Sequence, residues 1–175
     1  MSVESLKTAL PETAKDIRIN LSKVLSEEGA PGLTQKQILG TALASAHATR
    51  EAQVINAITE EAAAVLTAEE IAASKAAATI MAMNNVYYRF IHLAADDEIK
   101  KMSANLRMQI IANPGVPKVD FEIMCLAVSA INGCGMCMES HVHEVEKGGV
   151  SKQGAQSAIR IAAVINAAAQ GVVSV

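Results

Sequence analysis

At 175 residues the chain has room for one domain that buries roughly 70% of the surface its unfolded form exposes, so it needs no disulfide to fold. Half of the residues are apolar, but 32 are alanine and only four are aromatic, a composition of closely approaching helices rather than of a sheet. A net charge of −3, with no basic run longer than Lys100-Lys101, argues against a nucleic-acid partner, and no apolar stretch is long enough to span a bilayer.

Helical periodicity and breakers predict helices at 2–9, 12–25, 35–49, 52–65, 68–90, 96–101, 119–131, 134–147 and 151–170, with no alternating strand. The fold class is all-α, a single domain over residues 1–175. "TQKQ" at 34–37 and "TAEE" at 67–70 have the form of capping boxes, and Asp120 is placed as the N-cap of the helix that follows "NPGVP". Aligning the chain with itself at an offset of 84 pairs "LASA" at 43–46 with "AVSA" at 127–130, a faint sign of a helical duplication. In that register Arg50 falls opposite Cys134 and Gln53 opposite Cys137, so only the second copy carries chemistry.

The N-terminal stretch mixes acids and bases without an apolar centre, which is not the pattern of a secretory signal. The expected location is the cytoplasm, where a close cysteine pair is more often catalytic or metal-binding than a static staple. Such a pair occurs in "NGCGMCMESH", residues 132–141. Asn132-Gly133 breaks one helix and Cys134 opens the next, which stops at Gly148-Gly149. At 100° per residue Cys134, Cys137 and His141 fall within about 60° on one face, with the imidazole one turn from the second thiol. The unpaired N–H groups of a first helical turn stabilise a thiolate there.

Three readings fit these residues. They could be two structural cysteines, a zinc site short of its fourth ligand, or a dithiol–disulfide couple with a base beside it. His143 lies off the thiol face, and Cys125 belongs to the preceding helix as a small core residue. His47 reads as a satisfied packing histidine, His92 and His143 as surface or interface residues, and Tyr87 and Tyr88 as core and subunit packing. On spacing alone Glu122 is a first-turn acid.

The segment "FEIMCLAVSAINGCGMCMESHVHEV" resembles the alkyl hydroperoxidase D family of the carboxymuconolactone decarboxylase-like group, whose signature is a glutamate, eleven residues, then C-x-x-C-x-x-x-H. Glu122, Cys134, Cys137 and His141 fit it, and "NNVYYRF" at 84–90 and "LRMQIIANPGVPK" at 106–118 extend the likeness over the chain. The resemblance implies an all-helical antioxidant enzyme, commonly a homotrimer, that reduces organic hydroperoxides with no bound cofactor and no metal. Its reductant would be dihydrolipoamide or a lipoyl-bearing subunit of a dehydrogenase complex, and it would pass electrons to the peroxiredoxin alkyl hydroperoxide reductase C. It also implies that Cys137 attacks the peroxide, that Cys134 supplies a proton and closes a 134–137 disulfide, and that Glu122 and His141 form the proton relay. Cys137 would be the thiol that joins the peroxiredoxin in a mixed disulfide. Helix-dipole reasoning alone favours Cys134 as the reactive thiol, whereas the one-turn spacing from His141 favours Cys137. One departure is Met136, where a relative carries histidine. Two rival functions are a lactone decarboxylase of the same group, which has no need of vicinal thiols, and a zinc-stabilised adaptor.

Overall fold

The computed structural model describes residues 1–174. Its helices are α1 (Val3–Ala9), α2 (Lys15–Val24, entered through a 3₁₀ turn at Glu12–Ala14), α3 (Gln35–Thr49), α4 (Ala52–Ala63), α5 (Ala68–Ala94), α6 (Asp97–Lys101), α7 (Gln109–Ala112), α8 (Lys118–Ile131), α9 (Gly135–Lys147) and α10 (Lys152–Val173). No strand occurs among the described residues, so the all-α expectation holds.

Local signals set most boundaries. Thr34 and Thr67 each close a full capping box, with Gln37 and Glu70 returning to the N-cap amides. Three expectations need correction. The helix expected to stop at residue 90 continues to Ala94, where Ala95 turns into the left-handed region at φ 51°. The short helix α7 was not anticipated. Asp120 is not an N-cap, because α8 starts directly after Pro117, whose ring fixes φ near the helical value. The Asp120 carboxylate instead accepts the side-chain amide of Gln37 at 2.7 Å, tying α8 to the start of α3.

The core lies where α3, α8 and α10 pack on one another, with α5 against α3 and α8. Ala42, Ala44 and Ala46 on α3 are fully buried, so small side chains let the helices approach closely while Leu39, Leu43, Phe121, Leu126 and Ile161 fill the space between them. Each such large side chain is worth about 1.5–3 kcal/mol of burial. Gly40 leaves room on α3 for Met124 of α8, since a Cβ there would sit 2.6 Å from its Cε.

The faint repeat is an architectural one. Helices α8, α9 and α10 begin 83, 83 and 84 residues after α3, α4 and α5. The third helix of each half packs against the second helix of the other, α5 on α9 and α10 on α4. At the offset of 84, Glu122, His141 and Met81 correspond to Ile38, Ala57 and Ile165, all fully buried apolar residues. The first half therefore fills with hydrocarbon the positions at which the second places Glu122 and His141, and Ile165 stands where the first half has Met81.

Candidate active site

The turn between α8 and α9 positions the first cysteine. Asn132 ends α8, Gly133 adopts φ 69°, and the chain closes a Schellman motif. The Gly133 N–H donates to the Ala130 carbonyl and the Cys134 N–H to the Ser129 carbonyl, both at 3.1 Å. Only glycine takes that backbone conformation without cost, and Asn-Gly was the signal in the sequence. Arg89 of α5 holds the turn from outside, donating from Nη1 to the Asn132 carbonyl at 2.6 Å.

Cys134 is at once the residue that ends this motif and the N-cap of α9. Its sulfur accepts the N–H of Cys137 at 3.3 Å, and its carbonyl accepts that of Met138 at 2.9 Å. The two sulfurs are joined in a disulfide with the Cα atoms 5.3 Å apart. Their environments differ: Cys134 is 0% exposed and Cys137 6%, and Cys137 alone of the two lines the neighbouring cavity. A molecule entering that cavity meets Cys137 first.

His141, one turn further along α9, is buried, and so is Glu122 on the facing side of α8. His141 Nδ1 and Glu122 Oε2 share a hydrogen bond of 2.6 Å. Glu122 is the fifth residue of α8, beyond its first turn, so the dipole role expected from spacing is not its environment. A buried carboxylate needs a partner, and the imidazole is the one it has. His141 Nε2 lies 3.3 Å from Sδ of Met81 on α5. Neither ring nitrogen hydrogen-bonds to a cysteine sulfur in this disulfide form.

The cavity has a volume of about 490 Å³ and opens between α5, α8 and α9. Met81, Tyr88, Met108 and Ile111 give it a largely apolar wall, with Lys118 and Glu144 also lining it. Those two are paired at 3.2 Å, and the ammonium of Lys118 lowers the Glu144 carboxyl below its ordinary value. Tyr88 is thus a cavity residue, its hydroxyl 3.8 Å from Sδ of Met108, and not the core residue that helical spacing suggested. Met81 was missed because an apolar side chain at helical spacing on α5 looks like core whether or not a cavity opens beside it, and Met108, in the irregular stretch before α7, has no periodic signal at all.

The remaining candidates separate cleanly. Cys125 is a free thiol buried in the core, and burial, then the Glu122 carboxylate, push its pKa well above the ordinary value. His92 and His143 are exposed. His47 is half-buried on α3 and lines a separate pocket with Arg50, Lys75 and Asn132, and its Nε2 has no protein hydrogen-bond partner. Burial and then nearby Lys75 lower its pKa. Among the described residues, no group of three or more His, Cys, Asp or Glu is arranged to hold a metal ion.

Residues 97–173, which include Glu122, Cys134, Cys137 and His141, match the carboxymuconolactone decarboxylase family. The chain is also similar over almost its full length to proteins named alkyl hydroperoxide reductase AhpD. It is 53% identical to the one from Coxiella burnetii over 168 residues, covering 96% of this chain and 95% of that protein. The Hyphomonas neptunium protein is 53% identical over 170 residues, covering 97% and 93% respectively. The one from Brucella suis is 50% identical over 169 residues, covering 97% and 95%.

Proposed function

Since the chain belongs to the carboxymuconolactone decarboxylase family, among its AhpD alkyl hydroperoxide reductases, we propose that it reduces organic hydroperoxides with Cys134 and Cys137. The observation that carries this reading is the disulfide whose Cys137 sulfur faces an apolar cavity shared with a carboxylate-held histidine. An alkyl chain suits that wall, and the peroxide end suits the polar corner.

In the reduced protein the Cys137 thiolate attacks the terminal peroxide oxygen and the O–O bond breaks. The departing alkoxide takes the proton of the Cys134 thiol and leaves as alcohol. Cys134 then attacks the sulfur of the Cys137 sulfenic acid, water leaves, and the 134–137 disulfide forms. One hydroperoxide and two thiols give one alcohol, one water and one disulfide. His141, oriented by Glu122, takes the Cys137 proton at the start and returns it to the departing oxygen at the end.

A dihydrolipoyl group is the proposed reductant, as dihydrolipoamide or on a lipoyl-bearing subunit of a dehydrogenase complex. The proposed electron acceptor besides peroxide is the peroxiredoxin alkyl hydroperoxide reductase C, through a mixed disulfide at Cys137. We place the protein in the cytoplasm, as a homotrimer, with the exposed Val86, Phe90 and Leu93 of α5 as the apolar face that assembly would cover. Decarboxylation of a lactone, the chemistry of the family's namesake, has no use for vicinal thiols beside the histidine. The deciding experiment mixes purified protein, dihydrolipoamide and an alkyl hydroperoxide and follows peroxide loss. Turnover that needs both cysteines supports the reading, and peroxide persisting with fully reduced protein overturns it.

A further inference from the structure

Met81 is buried at 1% exposure, yet its sulfur is the meeting point of three polar side chains. His141 Nε2 lies 3.3 Å from Sδ, Ser129 Oγ 3.5 Å and Asn85 Nδ2 3.8 Å. The hydrogen bonds of this cluster run as a chain from Asn132. Asn132 Nδ2 donates to Asn85 Oδ1 at 2.9 Å, which turns the Asn85 amide nitrogen toward Ser129 Oγ, also at 2.9 Å. With its lone pair engaged by Asn85, the Ser129 hydroxyl donates to the Met81 sulfur. A thioether accepts but never donates. A nitrogen lone pair held 3.3 Å from a sulfur lone pair would be repelled, so the approach of His141 is favourable only with a proton on Nε2. The contact is then an Nε2–H to Sδ hydrogen bond, separate from the 2.6 Å bond that Nδ1 shares with Glu122.

We propose that Met81 is a positioning residue that holds a proton on His141 Nε2 in the disulfide state, ready for the thiolate released when the disulfide is reduced. This rests on the redox reading above. By the step concerned, Nε2 has taken up a proton from solvent to replace the one given to the departing oxygen. A thiolate of a dithiol donor, its own proton already given to solvent, then attacks the Cys137 sulfur. A donor–Cys137 bond forms, the 134–137 bond breaks, and the electron pair leaves on Cys134. His141 delivers the Nε2 proton toward that sulfur. When the donor's second thiol opens the mixed disulfide, its proton returns to the imidazole. The titratable groups that face the ring, or share its cavity, are Glu122 and Lys118 on α8, Glu144 on α9 and Tyr88 on α5.

The test is an ¹⁵N NMR titration of the disulfide protein, with the His141 signals among the four histidines assigned by their loss in His141→Gln. Met81→Leu keeps the volume and removes the acceptor, while Met81→Gln offers an amide oxygen in its place. The leucine variant is expected to release the Nε2 proton about one pH unit lower than wild type, and to be reduced by dithiothreitol about tenfold more slowly on the basic limb of the pH profile. Met81→Gln should restore both. An unchanged midpoint in Met81→Leu overturns the proposal. If neither variant folds, wild type decides: a bare Nε2 in the disulfide form at about pH 8, above the ordinary histidine range, overturns it and a protonated one there supports it. Because the titration needs no peroxide, failure of the hydroperoxidase reading in the turnover assay is distinguishable from failure of this one.

Discussion

Cys134 and Cys137 are bonded to each other but not equivalent: one sulfur is sealed beneath the α8–α9 turn and the other faces the cavity. The helix N-terminus favours a thiolate on either, so access and the nearby imidazole assign the roles. Cys137→Ser is expected to abolish peroxide reduction. Cys134→Ser should allow one oxidation and then stall, with Cys137 trapped as sulfenic acid or mixed disulfide. Labelling with a sulfenic-acid trap followed by mass spectrometry checks this, and a trap found on Cys134 in the Cys137→Ser protein would reverse the assignment.

Cys125 should take no part in the redox cycle. Its folded pKa is raised, so the neutral thiol contributes its full share to stability below the unfolded value of about 8.5. As pH rises from there toward the folded value, the unfolded chain ionises first and stability is lost, by at most about 1.4 kcal/mol per pH unit. Urea unfolding of wild type and Cys125→Ala at pH values on either side of about 8.5 should show wild type losing ground only on the alkaline side. Equal slopes would mean that Cys125 is not buried as a neutral thiol.

Gly133 gives a purely conformational prediction. A Cβ there meets nothing within 4 Å, so any cost of Gly133→Ala arises from φ 69° alone. That cost is about 1–2 kcal/mol, read as a lower urea midpoint with an unchanged slope. Gly133→Asn should lose less, since asparagine tolerates the left-handed region. Two substitutions of equal effect would place the cost elsewhere.

These sites differ in how far the sequence announces them. The capping boxes at Thr34 and Thr67 and the Asn-Gly turn are local chemistry, so their helices could be placed without coordinates. Helix α7 is four residues long with no side-chain cap, too short for periodicity to register. Asp120 had the right residue type for an N-cap, but Pro117 starts the helix earlier and frees the carboxylate for Gln37. The C-x-x-C-x-x-x-H spacing brings Cys134, Cys137 and His141 to one side of α9 through helical geometry alone. Glu122 reaches His141 across nineteen residues, and Met81 across sixty, by packing of α8 and α5 against α9. Contacts of that kind have no periodic signature. Glu122 came from family likeness, and Met81 had no signal beyond its place in an apolar stripe.

The pairing of His141 with Glu122 yields the sharpest test of mechanism. A free thiol with a pKa of about 8.5 is only a few per cent ionised near neutrality. The N-terminus of α9 supplies about 0.3–1 kcal/mol toward the anion at an exposed site, less than one pKa unit. The rest falls to a base, and with Nδ1 turned to Glu122 the nitrogen left for proton transfer is Nε2. His141→Gln is expected to lower peroxide turnover at neutral pH by roughly 10²–10⁴-fold with the helical content unchanged. Glu122→Gln should lose less, because the amide oxygen can still accept from Nδ1–H and keep the ring in place. Glu122→Ala removes that acceptor and should fall closer to the histidine variant. Raising the pH toward about 9 should partly rescue all three, since solvent then ionises the thiol without a base. Stopped-flow measurement of Cys137 oxidation in pre-reduced protein separates this step from reduction of the disulfide. If His141→Gln oxidises as fast as wild type near neutrality, the imidazole is not the base, and the first turn of α9 activates Cys137 by itself.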